Sequence, residues 1–372
     1  MEILLVIYKF FARGGAQRDL IRTAQALQKR SCRVTLLCAL AADPPPEGCQ
    51  LHILPAKGCS NHARMKSFES AVGQYLSSHP DCVALGFSRI GGLDMLFAAD
   101  DCLRTLWKNP LLNRLLPRKK RFLELEKSAL DTPLILTLTA RQERDYKFYY
   151  PAMQGRFKRL PPGIDCKYRQ ADYSGITREK LRQKLNVPAD RFLIVQAAAS
   201  FRTKGVDRSI AVINGLPDDL KNQITLIVAG DDRRRERYAK LAEMLKLDLR
   251  FPGGCDNLEE LYCAADLMLH PARSESAGSV LIEALCCDLP ILTTNRCGYA
   301  EYVTSSGGGV VLPEPFNQEH WVLALTRLMR EKAHLMQCRK NINQLGRNDF
   351  WYSRAEVIAD EVINFARAKG VE

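Results

Sequence analysis

Apolar residues along the chain fall into short runs, separated by stretches in which they recur every three or four positions. That pattern predicts strands alternating with amphipathic helices. Ile3–Tyr8 is the first run, and a loop over Lys9–Gly15 ends in Gly14-Gly15. From Ala16 to about Arg30, Leu20, Ala24 and Leu27 share one helical face. Further strands are expected at Arg33–Leu40, Gln50–Leu54, Cys82–Phe87, Leu134–Leu138 and Phe157–Leu160, and an apolar run Met95–Ala99 stops at Asp100-Asp101. Pro161-Pro162 halts this series, because prolines cannot continue a regular element. A second series follows at Phe192–Ala198, Ile224–Ala229, Arg250-Phe251, Leu267–Leu269, Ile291–Thr293 and Val310–Leu312, and helical patterns run from Gln318 to about Gly370. Strands separated by helices imply a parallel sheet covered on both faces. The expected fold is α/β: two Rossmann-like domains, 1–164 and 165–350, facing each other across a cleft, with a last segment over 351–372.

The richest stretch is His270–Leu285, HPARSESAGSVLIEAL, where a strand gives way to a helix expected from about Ala277. Glu275 and Glu283 bracket the small residues Ser276, Ala277, Gly278 and Ser279. A helix start with small side chains exposes backbone N–H groups that suit a diphosphate, and flanking acids can accept hydrogen bonds from sugar hydroxyls. The same residues also read as an ordinary capped turn with two solvated acids.

Other positions carry paired readings of the same kind. Gly14-Gly15 lets backbone amides approach a phosphate or sugar, but it is not G-x-G-x-x-G, and the second strand lacks the terminal acid of a dinucleotide site. Arg202 and Lys204 follow a strand and either neutralise a diphosphate or form a basic surface turn. Asp100 either faces the cleft or caps the next helix. Asp231-Asp232 reads as a solvated turn before three arginines, and His62 as a loop histidine. Neither a nucleophile elbow nor a P-loop is present. Cations, amides and hydroxyl acceptors suit group transfer from a pyrophosphate-activated donor better than hydrolysis.

Charge changes the picture. Lys and Arg outnumber Asp and Glu by 54 to 42, which calls for an acidic partner. Leu103–Leu123 holds seven of the cations, no acid, and interleaved Leu, Trp and Phe, a pattern that lies on an anionic membrane surface or solvates a core helix. No nucleic-acid motif accompanies it. The 13 cysteines show no C-x-x-C pair and fit reduced thiols of the cytoplasm. No apolar run is long enough to span a membrane, and the N-terminus reads as a first strand rather than a signal peptide.

Assembled, these residues resemble the retaining glycosyltransferases of the GT-B fold, family 4. Glu275 and Glu283 match that family's E-x7-E element, and Arg202 with Lys204 its basic pair, with Thr203 where some relatives carry Arg. YKFFARGGAQRD (8–19), GFSRIGGLDMLFAAD (86–100), LPPGI (160–164), KGVDRSI (204–210), AADLMLHPA (264–272), AGSVLIEAL (277–285) and CGYAEYV (297–303) are similar to the family's members that glucosylate lipopolysaccharide core heptose. The resemblance implies a metal-independent, UDP-sugar-dependent hexosyltransferase, peripheral on the cytoplasmic face of the inner membrane, with no cofactor and no nucleic-acid partner. It implies that Gly14 and Gly15 lie near the donor, that Arg202 and Lys204 hold its diphosphate, and that Glu275 binds the transferred sugar. Glu283 would take the ribose, and the amides of Ala277, Gly278 and Ser279 would complete the contacts. Asp100 would be an active-site acid, and the last helix would cross back to the first domain. Another donor or acceptor, or a non-catalytic membrane scaffold, are the rival readings.

Overall fold

The structure, a computed structural model, describes residues 1–12, 14–107, 116–169 and 177–371. It divides into two compact units, Met1–Gly163 with Ser353–Glu372, and Ile164–Tyr352.

In the first unit β1 (Glu2–Phe10), β2 (Arg33–Ala41), β3 (Gln50–Ile53), β4 (Cys82–Gly86), β5 (Met95–Ala98), β6 (Leu134–Thr137) and β7 (Phe157–Arg159) form one sheet in the order β3-β2-β1-β4-β5-β6-β7. Every pairing is parallel. Residues Ile3–Ile7 of β1 are at most 2% exposed, so this strand is covered on both faces. β5 lies beyond the strands expected from sequence. Its four residues are all buried, so no alternation of apolar and polar positions marks them. His62 sits in the helix Asn61–Ser77, not in a loop, because the Ser60 side chain accepts from the Ala63 N–H and caps the helix one residue earlier.

The last helix, Arg354–Lys369, belongs to this unit. Arg354 is 3% exposed; its guanidinium bonds both Asp19 oxygens at 2.9 and 3.0 Å and the Pro161 carbonyl at 3.1 Å. Gly163 is required here, since a Cβ would stand 2.6 Å from Arg354 Cβ. Arg30 pairs with Asp360 at 2.9 Å, and Lys369 with Asp94 at 2.9 Å.

Residues 108–115 of the basic segment lie outside the described residues. Its described part enters the helix Pro117–Leu130, and Trp107 and Phe122 meet edge to face at 6.5 Å with Lys119 Nζ 5.5 Å from the indole centroid.

The second unit repeats the plan. β8 (Phe192–Ala197), β9 (Ile224–Ala229), β10 (Asp248–Gly253), β11 (Leu267–His270), β12 (Ile291–Thr294) and β13 (Gly309–Leu312) form a parallel sheet ordered β10-β9-β8-β11-β12-β13. One core packs Leu193, Met268, Leu281 and Leu285 together; the other packs Phe201, Ile210, Leu269 and Trp321. Connections reverse direction between β8 and β11, and in open parallel sheets ligands bind outside the carboxyl ends of strands at that reversal. No helix among the described residues is long and apolar enough to cross a membrane.

Candidate functional site

Two loops meet at the reversal. After β8 the chain makes one helical turn, Phe201–Lys204, ended by Gly205. Gly205 has φ +74°, and a Cβ there would lie 2.2 Å from the Pro271 carbonyl oxygen, so only glycine fits. Buried Gln196 fixes the turn: its amide donates to the Lys204 carbonyl at 2.7 Å and it accepts from Ser209 at 2.8 Å. The second loop follows β11. The Arg273 N–H donates to the Thr203 carbonyl at 2.8 Å, and residue 275 pairs with the 297 region through Glu275 N–H to Arg296 O (3.3 Å) and Gly298 N–H to Glu275 O (3.2 Å).

The Glu275 carboxylate joins the two loops. Lys204 Nζ donates to Oε1, and His270 Nε2 lies 2.6 Å from Oε2. His270 is fully buried, with its carbonyl accepting from the Thr293 hydroxyl at 3.0 Å, and its Nδ1 makes no hydrogen bond among the described residues. Burial works against charge on both His270 and Glu275. For Glu275 the hydrogen bond and charge of His270, together with Lys204, outweigh burial and hold the carboxyl at about 2. For His270 the neighbouring Cys297 and Glu275 outweigh it and raise the imidazole to about 9. At neutral pH the group is therefore two cations on one carboxylate, a net positive charge at the mouth of the sheet.

His270, Glu275 and Cys297 place three potential metal-ligand atoms within 4.8 Å of one another. Lys204 Nζ already stands on the Glu275 carboxylate as its counter-cation, which favours an anion over a metal beside it.

The helix after this loop is Ser279–Cys286, two residues later than the sequence pattern suggests, because Gly278 at φ +88° stands at its N-cap and breaks the helical geometry. Ala277 precedes it, its carbonyl accepting from the Tyr299 N–H at 2.7 Å, and Ser279 opens the helix. Glu283 thus lies just past the first helical turn. It is 6% exposed, and the Tyr168 hydroxyl bonds to it; burial first, then this acid, pushes the tyrosine upward.

Arg202 parts from Lys204. It is exposed and lines a separate cavity of about 980 Å³ that Lys204 and Glu275 do not border. Asp231 and Asp232 are not a merely solvated turn. Asp232 accepts from the Phe201 and Arg234 N–H groups at 2.8 Å each, and Asp231 from Gly254 N–H at 3.1 Å, so both brace loops of this edge.

Three expected site residues belong to the first unit. Gly14 is the N-cap of the helix Gly15–Gln28, and a Cβ on Gly15 would meet nothing within 4 Å. Asp100 follows β5 with its side chain 71% exposed and paired to Arg89 at 3.0 Å. It does not cap the next helix: Cys102 holds the N-cap position, and Glu126 accepts from the Leu103 N–H at 2.8 Å.

Sequence reasoning gave His270 no role. Its signal was a titratable residue ending the apolar run Leu-Met-Leu, five positions before Glu275.

Known proteins share this fold. The family model "Glycosyl transferases group 1" matches residues 177–345. The lipopolysaccharide glucosyltransferase WaaG of Escherichia coli K12 is 33% identical over 97% of this chain and 98% of its own length. A crystal structure of WaaG, a glycosyltransferase involved in lipopolysaccharide biosynthesis, superposes with TM-score 0.86 at 34% identity, covering 97% of this chain and 99% of that one. HepE of Anabaena in complex with UDP, 16% identical, shares the fold with TM-score 0.69 over 100% of this chain and 98% of its own. Two parallel doubly wound sheets are thus the GT-B architecture of a glycosyltransferase. The chain belongs to the glycosyl transferases group 1 family, and over nearly its whole length it is similar to WaaG.

Proposed function

We propose that the protein transfers glucose from UDP-glucose to a heptose of the lipopolysaccharide inner core, with retention of the α configuration and without a metal. The observation that carries this reading is the Lys204–Glu275–His270 cluster at the β8/β11 reversal. A net positive site there stabilises the diphosphate as it leaves, and such charge stabilisation is often the largest catalytic contribution. The bond between the anomeric carbon and the β-phosphate oxygen breaks first. The acceptor hydroxyl then bonds the same face of that carbon, and its proton passes to the departing phosphate oxygen. Glu275 orients Lys204 and has lone pairs left for a sugar hydroxyl, while Glu283 and the amides at Gly278 and Ser279 take ribose and phosphate. The family resemblance gives Gly14 and Gly15 a role toward the donor and makes Asp100 an active-site acid. Similarity to WaaG over both full chains supports the lipopolysaccharide acceptor, and the UDP complex of HepE is consistent with the nucleotide.

Turnover of UDP-glucose, UDP-galactose and UDP-N-acetylglucosamine on heptosylated core and on heptose-free lipid tests the reading, with EDTA in a parallel series. UDP release with heptosylated core and UDP-glucose, unchanged by EDTA, is expected. Equal rates on heptose-free lipid overturn the acceptor, and loss of turnover with EDTA overturns the metal-free chemistry. The reading also places the protein on the inner face of an anionic membrane through 103–123. Vesicle binding that survives replacement of Lys119, Lys120 and Arg121 by Ala removes that part.

A further inference from the structure

The cavity that Arg202 lines has no part in the cluster above. Its wall combines Arg202, Arg234, Arg237 and Lys240 with the ion pair Arg273–Asp207. None of the four unpaired cations makes an ion pair or side-chain hydrogen bond among the described residues. Glu236 is the one lining acid besides the already neutralised Asp207. Like charges gathered in a concave wall raise the local potential and concentrate counter-ions.

The cavity is built rather than incidental. Arg273 donates to the Arg202 carbonyl at 2.7 Å and to Asp207 at 2.6 and 2.8 Å, fixing its floor to the loop that carries Lys204. Its outer wall is the helix Arg235–Met244, on which Arg237, Lys240, Leu241 and Met244 follow helical spacing and share a face. Leu241 is 38% and Met244 81% exposed, so this face sets bare apolar surface beside two free cations.

We propose that this cavity is a second anion site, distinct from the donor's diphosphate position, that binds a phosphate group. Guanidinium groups pair with phosphate through two parallel hydrogen bonds, and four of the wall's cations have no other partner among the described residues. The phosphate belongs either to a soluble phosphate ester or to a phospholipid headgroup, whose acyl chain would run over Leu241 and Met244.

The full chain is saturated with UDP, to fill the donor position, and titrated calorimetrically with inorganic phosphate and with dihexanoyl phosphatidylglycerol below its micelle concentration. The variant is R237A/K240A. Both residues are exposed and unpaired, so its melting temperature and its transfer from UDP-glucose should match the parent's. Phosphate affinity at least tenfold weaker in the variant is expected. Tighter parental binding of the phospholipid, lost by the same factor, assigns the site to a headgroup; phospholipid binding no tighter than phosphate assigns it to a soluble ester. Equal phosphate affinity in parent and variant, or no binding by the UDP-saturated parent, overturns the proposal. These readouts do not depend on the sugar donor or acceptor, so the site and the proposed reaction fail separately.

Discussion

Each unit buries charge, and the two use it differently. In the first, Arg354 and Asp19 are 3% and 12% exposed, and their pair ties the last helix to the first. It sits among packed elements and fastens the chain to itself. In the second, Lys204, Glu275 and His270 are 19%, 11% and 0% exposed, at the carboxyl edge of the sheet where two loops end. That cluster joins loops rather than core elements, and it carries an uncancelled positive charge. One plan of parallel strands thus holds charge for architecture in one copy and, in the reading proposed above, for chemistry in the other.

Breaking the architectural pair should have the largest effect. Asp19→Ala leaves a buried guanidinium without its counter-charge, and removing one partner of such a pair costs about 3–5 kcal/mol. Loss of protection in Arg354–Lys369 by hydrogen exchange, with the second unit's strands unaffected, is the expected outcome. A loss below about 1 kcal/mol would mean that water reaches Arg354 and that the contrast between the units is weaker than drawn.

Next comes the chemical cluster. Glu275→Gln keeps the size and removes the charge that orients Lys204. A fall in kcat of about 100-fold is expected, comparable to losing one preorganised charge-stabilising contact, with a smaller change in UDP affinity. If kcat holds while UDP binding collapses, Glu275 serves nucleotide binding instead.

A smaller, pH-dependent effect separates the units through stability rather than activity. His270 is raised to about 9 from an unfolded value near 6.5, so its stabilisation is full below 6.5 and lost as pH rises through 9. Glu275 is lowered to about 2, so its contribution is full above about 4.5 and lost as pH falls through 2. Denaturation midpoints of the second unit should therefore be highest between about pH 4.5 and 6.5 and decline toward 9. In His270→Gln the alkaline decline should flatten; a variant that still declines over that window locates the titration elsewhere.

Much of this was legible in the sequence, for identifiable reasons. β8 and β9 are six-residue runs, each apolar but for one residue, Gln196 and Thr225, and runs that long between helical patterns define a doubly wound sheet. Spacing gave Glu275 and Glu283. It could not give His270 its role, because that contact depends on a bridge from residue 275 to Cys297 in a distant loop. The divergence of Arg202 from Lys204 was readable in principle. Residues two apart on a helical turn point to different sides, and the turn Phe201–Lys204 obeys that rule. Glu283's burial under Tyr168 was not readable, since Tyr168 reaches it from a 3-10 turn far away in sequence.

The subtlest test concerns the first unit's own sheet mouth, where Gly15 opens a helix in place of a charge cluster. Gly15 has ordinary negative φ, and a Cβ would meet no atom within 4 Å, so neither the fold nor packing requires glycine. Replacing glycine by alanine at a compatible helical position stabilises a protein by about 0.4–1 kcal/mol, chiefly by restricting the unfolded chain. Gly15→Ala should therefore raise the melting temperature slightly. If the glycine exists so that the donor can approach the backbone, the same variant should raise the KM for UDP-sugar several-fold while leaving kcat nearly unchanged. A more stable enzyme with a weaker hold on its donor assigns the residue to the substrate. A more stable enzyme with unaltered KM shows that the first unit's sheet mouth does not meet the donor at this residue.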